Sequence, residues 1–221
     1  MTDRALFITF EGGEGAGKTT LISRLELELR KQGGQILVTR EPGGTELGKQ
    51  IRRLLLHKEP SVQISPHAEL LLFLADRAQH LDQVIKPALL KGVTVLCDRF
   101  NDSTIAYQGY ARGLGVEAVE QLCKLVCGDS VPDLTFYLDI DPKLGMERAI
   151  RQQRVMDRME TEQIAFHEKV RQGFLKIADK DKPRVCVIDA RQSADKVFEQ
   201  AFAVIENKFK RKGAKTQREK E

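Results

Sequence analysis

Tryptophan is absent from this 221-residue chain and aromatics make up only 6% of it, so a core must be built from aliphatic residues within a 41% hydrophobic total. Cysteine is scarce: Cys97, Cys123, Cys127 and Cys186 form no C-x-x-C pair, and no His lies at ligand spacing from them. That excludes a thiolate metal centre and predicts buried free thiols in a reducing cytosol. The N-terminus has no basic region followed by an apolar run, which predicts no signal peptide. No apolar stretch approaches membrane-spanning length, so the expectation is a soluble, cytoplasmic protein. The net charge of +4 is small, and the seven basic residues from Lys208 onward, against Glu219 and Glu221, account for all of it. The body is therefore near neutral, and no nucleic-acid partner is expected. A single domain over 1–211 is predicted, followed by a basic, disordered tail over 212–221.

What the chain does have is a glycine-rich loop near its start. Gly12, Gly13, Glu14, Gly15, Ala16, Gly17, Lys18 and Thr19 fit G-x-x-x-x-G-K-[ST]. The apolar run Leu6–Phe10 ahead of it reads as a strand. Thr20–Gln32 behind it, with Leu21, Ile22, Leu25 and Leu29 on one face, reads as a helix. Strand, glycine loop and helix are the order a phosphate cradle requires. The glycines allow backbone N–H groups to turn onto phosphate oxygens, and the helix N-terminus adds partial positive charge. Lys18 would reach the β- and γ-phosphates of ATP, Thr19 would hold Mg²⁺, and Thr20 completes the ATP-binding stretch.

Further strands are predicted at Gln35–Thr39, Val93–Cys97, Leu134–Ile140 and Val185–Ile188, with helices between them. The alternation predicts an α/β, three-layer P-loop NTPase fold: a five-stranded parallel sheet flanked by helices, with a small helical lid at about 148–160. Pro42-Gly43 predicts a type II turn. Thr45 and Ser65-Pro66 are helix starts, and Pro87 should kink or restart the second of those helices. Ligand groups should gather at the C-terminal ends of the strands, which singles out Glu11, Arg40, Asp98 and Arg99. No N-K-x-D guanine reader is present, and Asp98 is followed by Arg99 rather than by a second acid. An Asp that orients Mg²⁺ beside an Arg that grips a second phosphate points to a kinase with an anionic acceptor.

The run Leu96-Cys97-Asp98-Arg99-Phe100-Asn101-Asp102-Ser103-Thr104-Ile105-Ala106-Tyr107-Gln108 resembles the signature of thymidylate kinases. Phe10-Glu11-Gly12, Thr39-Arg40-Glu41-Pro42-Gly43-Gly44-Thr45 and Pro132-Asp133-Leu134-Thr135 match that family's other markers, in order. The resemblance implies transfer of the γ-phosphoryl of ATP to dTMP, giving dTDP for dTTP synthesis, by a homodimer. It implies that Phe73 stacks on thymine, that Arg77 bonds its carbonyl, and that Tyr107 and Gln108 lie beside the deoxyribose and base. Arg40 and Arg99 would clamp the dTMP phosphate, with Ser103 nearby, and Glu11 would face either the acceptor or the metal. Arg148, Arg151, Arg154 and Arg158, spaced three, three and four apart, would share one face of a helical lid. With Glu14 in the loop and these arginines on the lid, the pattern resembles the family's bacterial type. Lys18, Arg99, Arg151 and Arg154 are the expected catalytic cations. Residues alone leave two rivals, a kinase for another nucleoside monophosphate and a nucleotide sensor or nucleic-acid-associated ATPase.

Overall fold

The computed structural model describes residues 5–56, 63–151 and 157–218, with side chains through 210. Five short strands form one sheet in the order β2-β3-β1-β4-β5, every neighbouring pair parallel: β1 (Phe7–Glu11), β2 (Ile36–Arg40), β3 (Thr94–Asp98), β4 (Leu134–Asp139) and β5 (Val185–Asp189). β1 is central and wholly buried, which is why its sequence is apolar without alternation.

The helices are α1 (Lys18–Lys31), α2 (Glu46–Leu56), α3 (Pro66–His80), α4 (Lys86–Leu90), α5 (Asn101–Thr104), α6 (Val116–Cys127), α7 (Pro142–Arg151), α8 (Ile164–Lys180) and α9 (Ala194–Arg218). One core joins β1 and β4 to α1 and α9 through Ile8, Leu25, Phe136 and Ala201. A second joins α3, α6 and α8 through Leu74, Val119 and Phe174. Helices thus cover both faces of the sheet, as expected for a parallel sheet.

Local signals hold where they are chemically specific. The Thr45 hydroxyl accepts from Gly48 N at 2.9 Å, and Ser65 Oγ accepts from Ala68 N at 3.4 Å. Ahead of Pro87 the helix opens into a π-helical turn, Leu81–Ile85, and restarts as α4, in keeping with the N–H that proline lacks. A second π-helical segment, Ile105–Ala111, follows α5.

The structure departs from the sequence reading at several points. Gly43 takes φ 112°, but the Glu41–Pro42 bond is cis, which a Pro-Gly pair does not encode. α8 carries Val170, Phe174 and Ile177 on its buried face, an apolar spacing that would have revealed the helix between lid and last strand. α9 continues through Arg218, past residue 212 where the tail was expected to begin. α7 is described through Arg151, and Arg158 lies in the turn at 158–161, so Arg158 does not share a helix with Arg148 and Arg151. Arg154 lies outside the described residues.

Candidate active site

The C-terminal strand ends open onto a cavity of about 510 Å³. Its floor at one end is the glycine loop, which lines it from Glu14 to Lys18. A Cβ on Gly12 would stand 2.7 Å from Leu138 O, and Gly12 takes φ 143°. A Cβ on Gly15 would collide with the backbone of Gly145 on α7, so the loop and α7 meet where neither residue can carry a side chain. Lys18 is buried and donates through Nζ to Gly12 O at 3.1 Å and Gly13 O at 3.2 Å. Burial, then nearby Arg99, push its pKa down. Glu14, Gly15, Gly17, Lys18, Thr19 and Thr20 line the cavity. Gly12 and Ala16, in the same expected ATP-binding run, are buried, Ala16 within the core.

The exit of β3 supplies the middle of the cavity. Among the described residues, Asp98 Oδ1 is one of three buried side-chain atoms with no hydrogen-bond partner, alongside Asp76 Oδ2 and His167 Nε2. Arg99 takes φ 70°, left-handed backbone that costs a non-glycine residue about 1 kcal/mol, and its N–H is held by Phe10 O at 3.0 Å. Its guanidinium donates to Glu14 Oε1 at 2.8 Å and Ser103 Oγ at 3.2 Å, and lies 5.3 Å from the Tyr107 ring centroid.

Glu11 does not reach the cavity wall. Its carboxylate is fully buried and accepts from Phe100 N at 2.7 Å and Ser103 Oγ at 2.5 Å, so it ties β1 to the loop that carries Arg99. Burial and neighbouring Asp102 raise its pKa to about 8. In this structure both of its oxygens bond within the protein, at the loop that carries Arg99.

The far end is built mostly from α3. Phe73 and Arg77 line the cavity on one helical face, and Phe73 belongs to none of the buried core clusters. Arg77 is 2% exposed; its Nε donates to Glu41 Oε2 at 2.8 Å, and its guanidinium lies 5.0 Å from the Phe100 ring centroid. Glu41 Oε1 is 2.9 Å from His80 Nδ1, and His80 Nε2 is 2.7 Å from Thr39 Oγ1. Burial opposes the charge on Arg77, but Glu41 outweighs it and its pKa rises. Asp76 Oδ1 accepts from Gly43 N at 3.0 Å, and burial with nearby Glu41 lifts the Asp76 pKa to about 6. Loop 40–44 is thereby fastened to α3. Gln108 and Tyr107 line the same end, and Gln108 Nε2 donates to Glu69 Oε1 at 2.8 Å.

Arg40 lines the cavity and is exposed. Beside it stands Arg52, whose Nη1 donates to Pro42 O at 2.9 Å and whose pKa is lowered by burial, then by Arg40. Sequence reasoning missed Arg52, Glu69 and His80, which no local pattern marks, and gave Glu41 no role although it stands in the run from Thr39 to Thr45. On the lid side, Arg158 donates to Leu55 O at 2.8 Å and to Glu69. Arg148 donates to Ala190 O at 2.8 Å, and Arg151 is 81% exposed beside Glu147. Asp157 Oδ1 accepts from Met159 N and Glu160 N, shaping the turn that follows the lid. Glu160 also lines the cavity; burial and its hydrogen bond with Glu14 raise its pKa to about 7.

A phosphate loop facing a second cluster of cations across one cavity defines a P-loop phosphotransferase with an anionic acceptor. The family model for thymidylate kinase matches residues 10–201. A thymidylate kinase of Protochlamydia amoebophila is 48% identical over 219 residues, covering 96% of this chain and 97% of the relative. One from a Synechococcus strain is 49% identical over 201 residues, covering 91% and 94%. The crystal structure of thymidylate kinase from Ehrlichia chaffeensis superposes with a TM-score of 0.74 at 38% identity, over 92% of this chain and 99% of that one. The chain belongs to the thymidylate kinase family.

Proposed function

We infer that this chain is a dTMP kinase, moving the γ-phosphoryl group of ATP to dTMP to yield ADP and dTDP. The observation that carries the site reading is the two-ended cavity: Lys18 in its glycine loop at one end, Phe73 and Arg77 at the other, Asp98 and Arg99 between. ATP phosphates would lie along the loop, drawing Lys18 Nζ from Gly12 and Gly13 carbonyls onto phosphate oxygens. The dTMP phosphate would meet Arg99, Arg40 and Arg52, releasing Arg99 from Glu14 and Ser103. Thymine would stack on Phe73, with Arg77 donating to a ring carbonyl. The Tyr107 ring would crowd a 2′-hydroxyl, favouring a deoxyribose.

A kinase of this family requires a divalent metal, and Mg²⁺ fits the residues present. Asp98 Oδ1 is buried without a protein partner, and Thr19 lines the cavity beside Lys18. Hard oxygen donors of this kind suit Mg²⁺, which keeps several of its waters. When bound it supplies charge neutralisation to the ATP phosphates.

Chemistry then follows from position and charge. A phosphate oxygen of dTMP, already anionic, attacks the γ-phosphorus, and the bond to the β-bridging oxygen breaks, leaving the electron pair on ADP. Lys18 and Arg99 stabilise the charge spread over the transferring group. Arg151, exposed at the end of α7, and Arg154 would add cations as the lid closes. A reducing cytoplasm suits the free cysteines, and no described helix is long and apolar enough to cross a membrane. Exposed Leu47 and Leu54 on α2 and Leu71 on α3 offer an apolar face for a homodimer. The test is ADP production from Mg-ATP with dTMP, dUMP, ribose TMP, AMP and GMP in turn. Stimulation by dTMP well above the others is expected, and preference for a purine monophosphate would overturn the reading of the base end.

A further inference from the structure

Glu69, in the first turn of α3, is 1% exposed and makes no contact expected of a reacting group. Its carboxylate accepts from Gln108 Nε2 at 2.8 Å, from Arg112 Nε at 3.1 Å and Nη2 at 3.2 Å, and from Arg158 Nη2. Burial alone would raise its pKa, but the hydrogen bonds from Arg112, Arg158 and Gln108 outweigh it and hold Glu69 below its usual range. An ionised carboxylate has only acceptors to offer. The Gln108 carboxamide must therefore turn its NH₂ toward Glu69, since the flipped amide would set oxygen against oxygen. Among the described residues Gln108 makes no other side-chain hydrogen bond, so its Oε1 is left to the cavity that the residue lines.

Resting on the placement of the base against Phe73 and Arg77, we propose that Glu69 is a specificity-determining residue that acts through Gln108. By fixing the carboxamide with its oxygen toward the base, it makes this wall of the pocket an acceptor, while Arg77 makes the adjoining wall a donor. That pair of polarities reads a ring N–H next to a ring carbonyl, the N3–H and C4 carbonyl of thymine. A base with a lone pair at N3 meets the Gln108 oxygen head on. The discrimination arises because a buried polar group faces a mismatched partner, which is where polar sites separate substrates most strongly.

The experiment uses Glu69→Gln, whose amide can present either end and so permits Gln108 to flip. The substrates are dTMP and the 5′-monophosphate of the 2-pyrimidinone deoxynucleoside. The latter has a lone pair at N3 and nothing at C4, so the missing contact with Arg77 is common to both proteins. The kcat/KM ratio of dTMP to this analogue should fall at least about tenfold in Glu69→Gln, through KM, with KM for ATP unchanged. Placed on Gln108→Ala, the same substitution should leave the ratio where it was. An unaltered ratio, or an equal fall in the Gln108→Ala background, would overturn the proposal, the latter by assigning the effect to Arg158. Should Glu69→Gln fail to fold, Gln108→Met, which removes the amide and keeps the volume, must also lower the ratio; a retained ratio refutes the idea. Turnover of dTMP by the unaltered enzyme is the control on the base placement itself. Its absence would overturn that placement and the proposal together, whereas normal turnover with an unaltered ratio overturns the proposal alone.

Discussion

The phosphate end of the cavity draws its parts from one continuous run, Glu14 to Thr20, while the base end needs α3, the loop after β2, the exit of β3 and the π-helical turn at Ile105–Ala111. The first works through backbone: glycine conformations, carbonyls and the start of α1. The second works through buried side chains that hold one another, Thr39, His80, Glu41 and Arg77 in a chain, and Glu69 beneath Gln108. A local device can be read from consecutive residues and tolerates changes elsewhere. A non-local one depends on partners dozens of positions apart, and breaking one partner leaves another charge buried.

The strongest way to break the phosphate end is Lys18→Met, which keeps the buried stem and removes the charge. Turnover should fall by about 10³ or more with the thermal midpoint little changed, measured by steady-state ADP release beside a melting curve. Near-normal kcat would contradict the role given to Lys18. At the base end, Glu41→Gln leaves Arg77 and His80 without their carboxylate. KM for dTMP should rise about 10- to 100-fold and stability should drop by about 3 kcal/mol, while KM for ATP stays put. Equal losses for both substrates would erase the contrast between the two ends.

The smallest effect is one of pH. Asp76, buried beside Glu41, has its pKa raised from 3.8 to about 6, so the folded protein keeps a proton that the unfolded chain releases. Its contribution is fully present below about pH 4 and is lost as pH rises through 6, worth up to about 3 kcal/mol. Asp76→Asn preserves the acceptor for Gly43 N and should flatten that decline, seen as a smaller difference between melting points at pH 4.5 and 6.5. An identical slope in the variant would assign the effect to another group.

These contrasts also explain what was legible beforehand. The loop motif, five strands, the caps at Thr45 and Ser65, and the Asp98-Arg99 pair all depend on neighbours in sequence. Phe73 and Arg77 were found because helical spacing joins them and a family resemblance gave them a task. Glu41, Glu69 and His80 escaped because their partners lie tens of residues away, and no periodicity distinguishes a buried carboxylate from a solvated one. Glu11 was expected to contact the acceptor or metal because it ends β1. Only the packed loop shows Phe100 N and Ser103 already taking both of its oxygens. The lid was legible only in part: Arg158 lies in the turn at 158–161, off the helical face that its spacing from Arg148 and Arg151 implied.

The central claim is that acceptor recognition rests on Arg77, held from behind by Glu41 and separate from the phosphate loop. Arg77→Lys tests it most directly, because lysine keeps a cation against Glu41 but lacks the planar fork. KM for dTMP should rise at least about tenfold while KM for ATP stays within about twofold. Equal increases for the two substrates, or no change in KM for dTMP, would contradict the account.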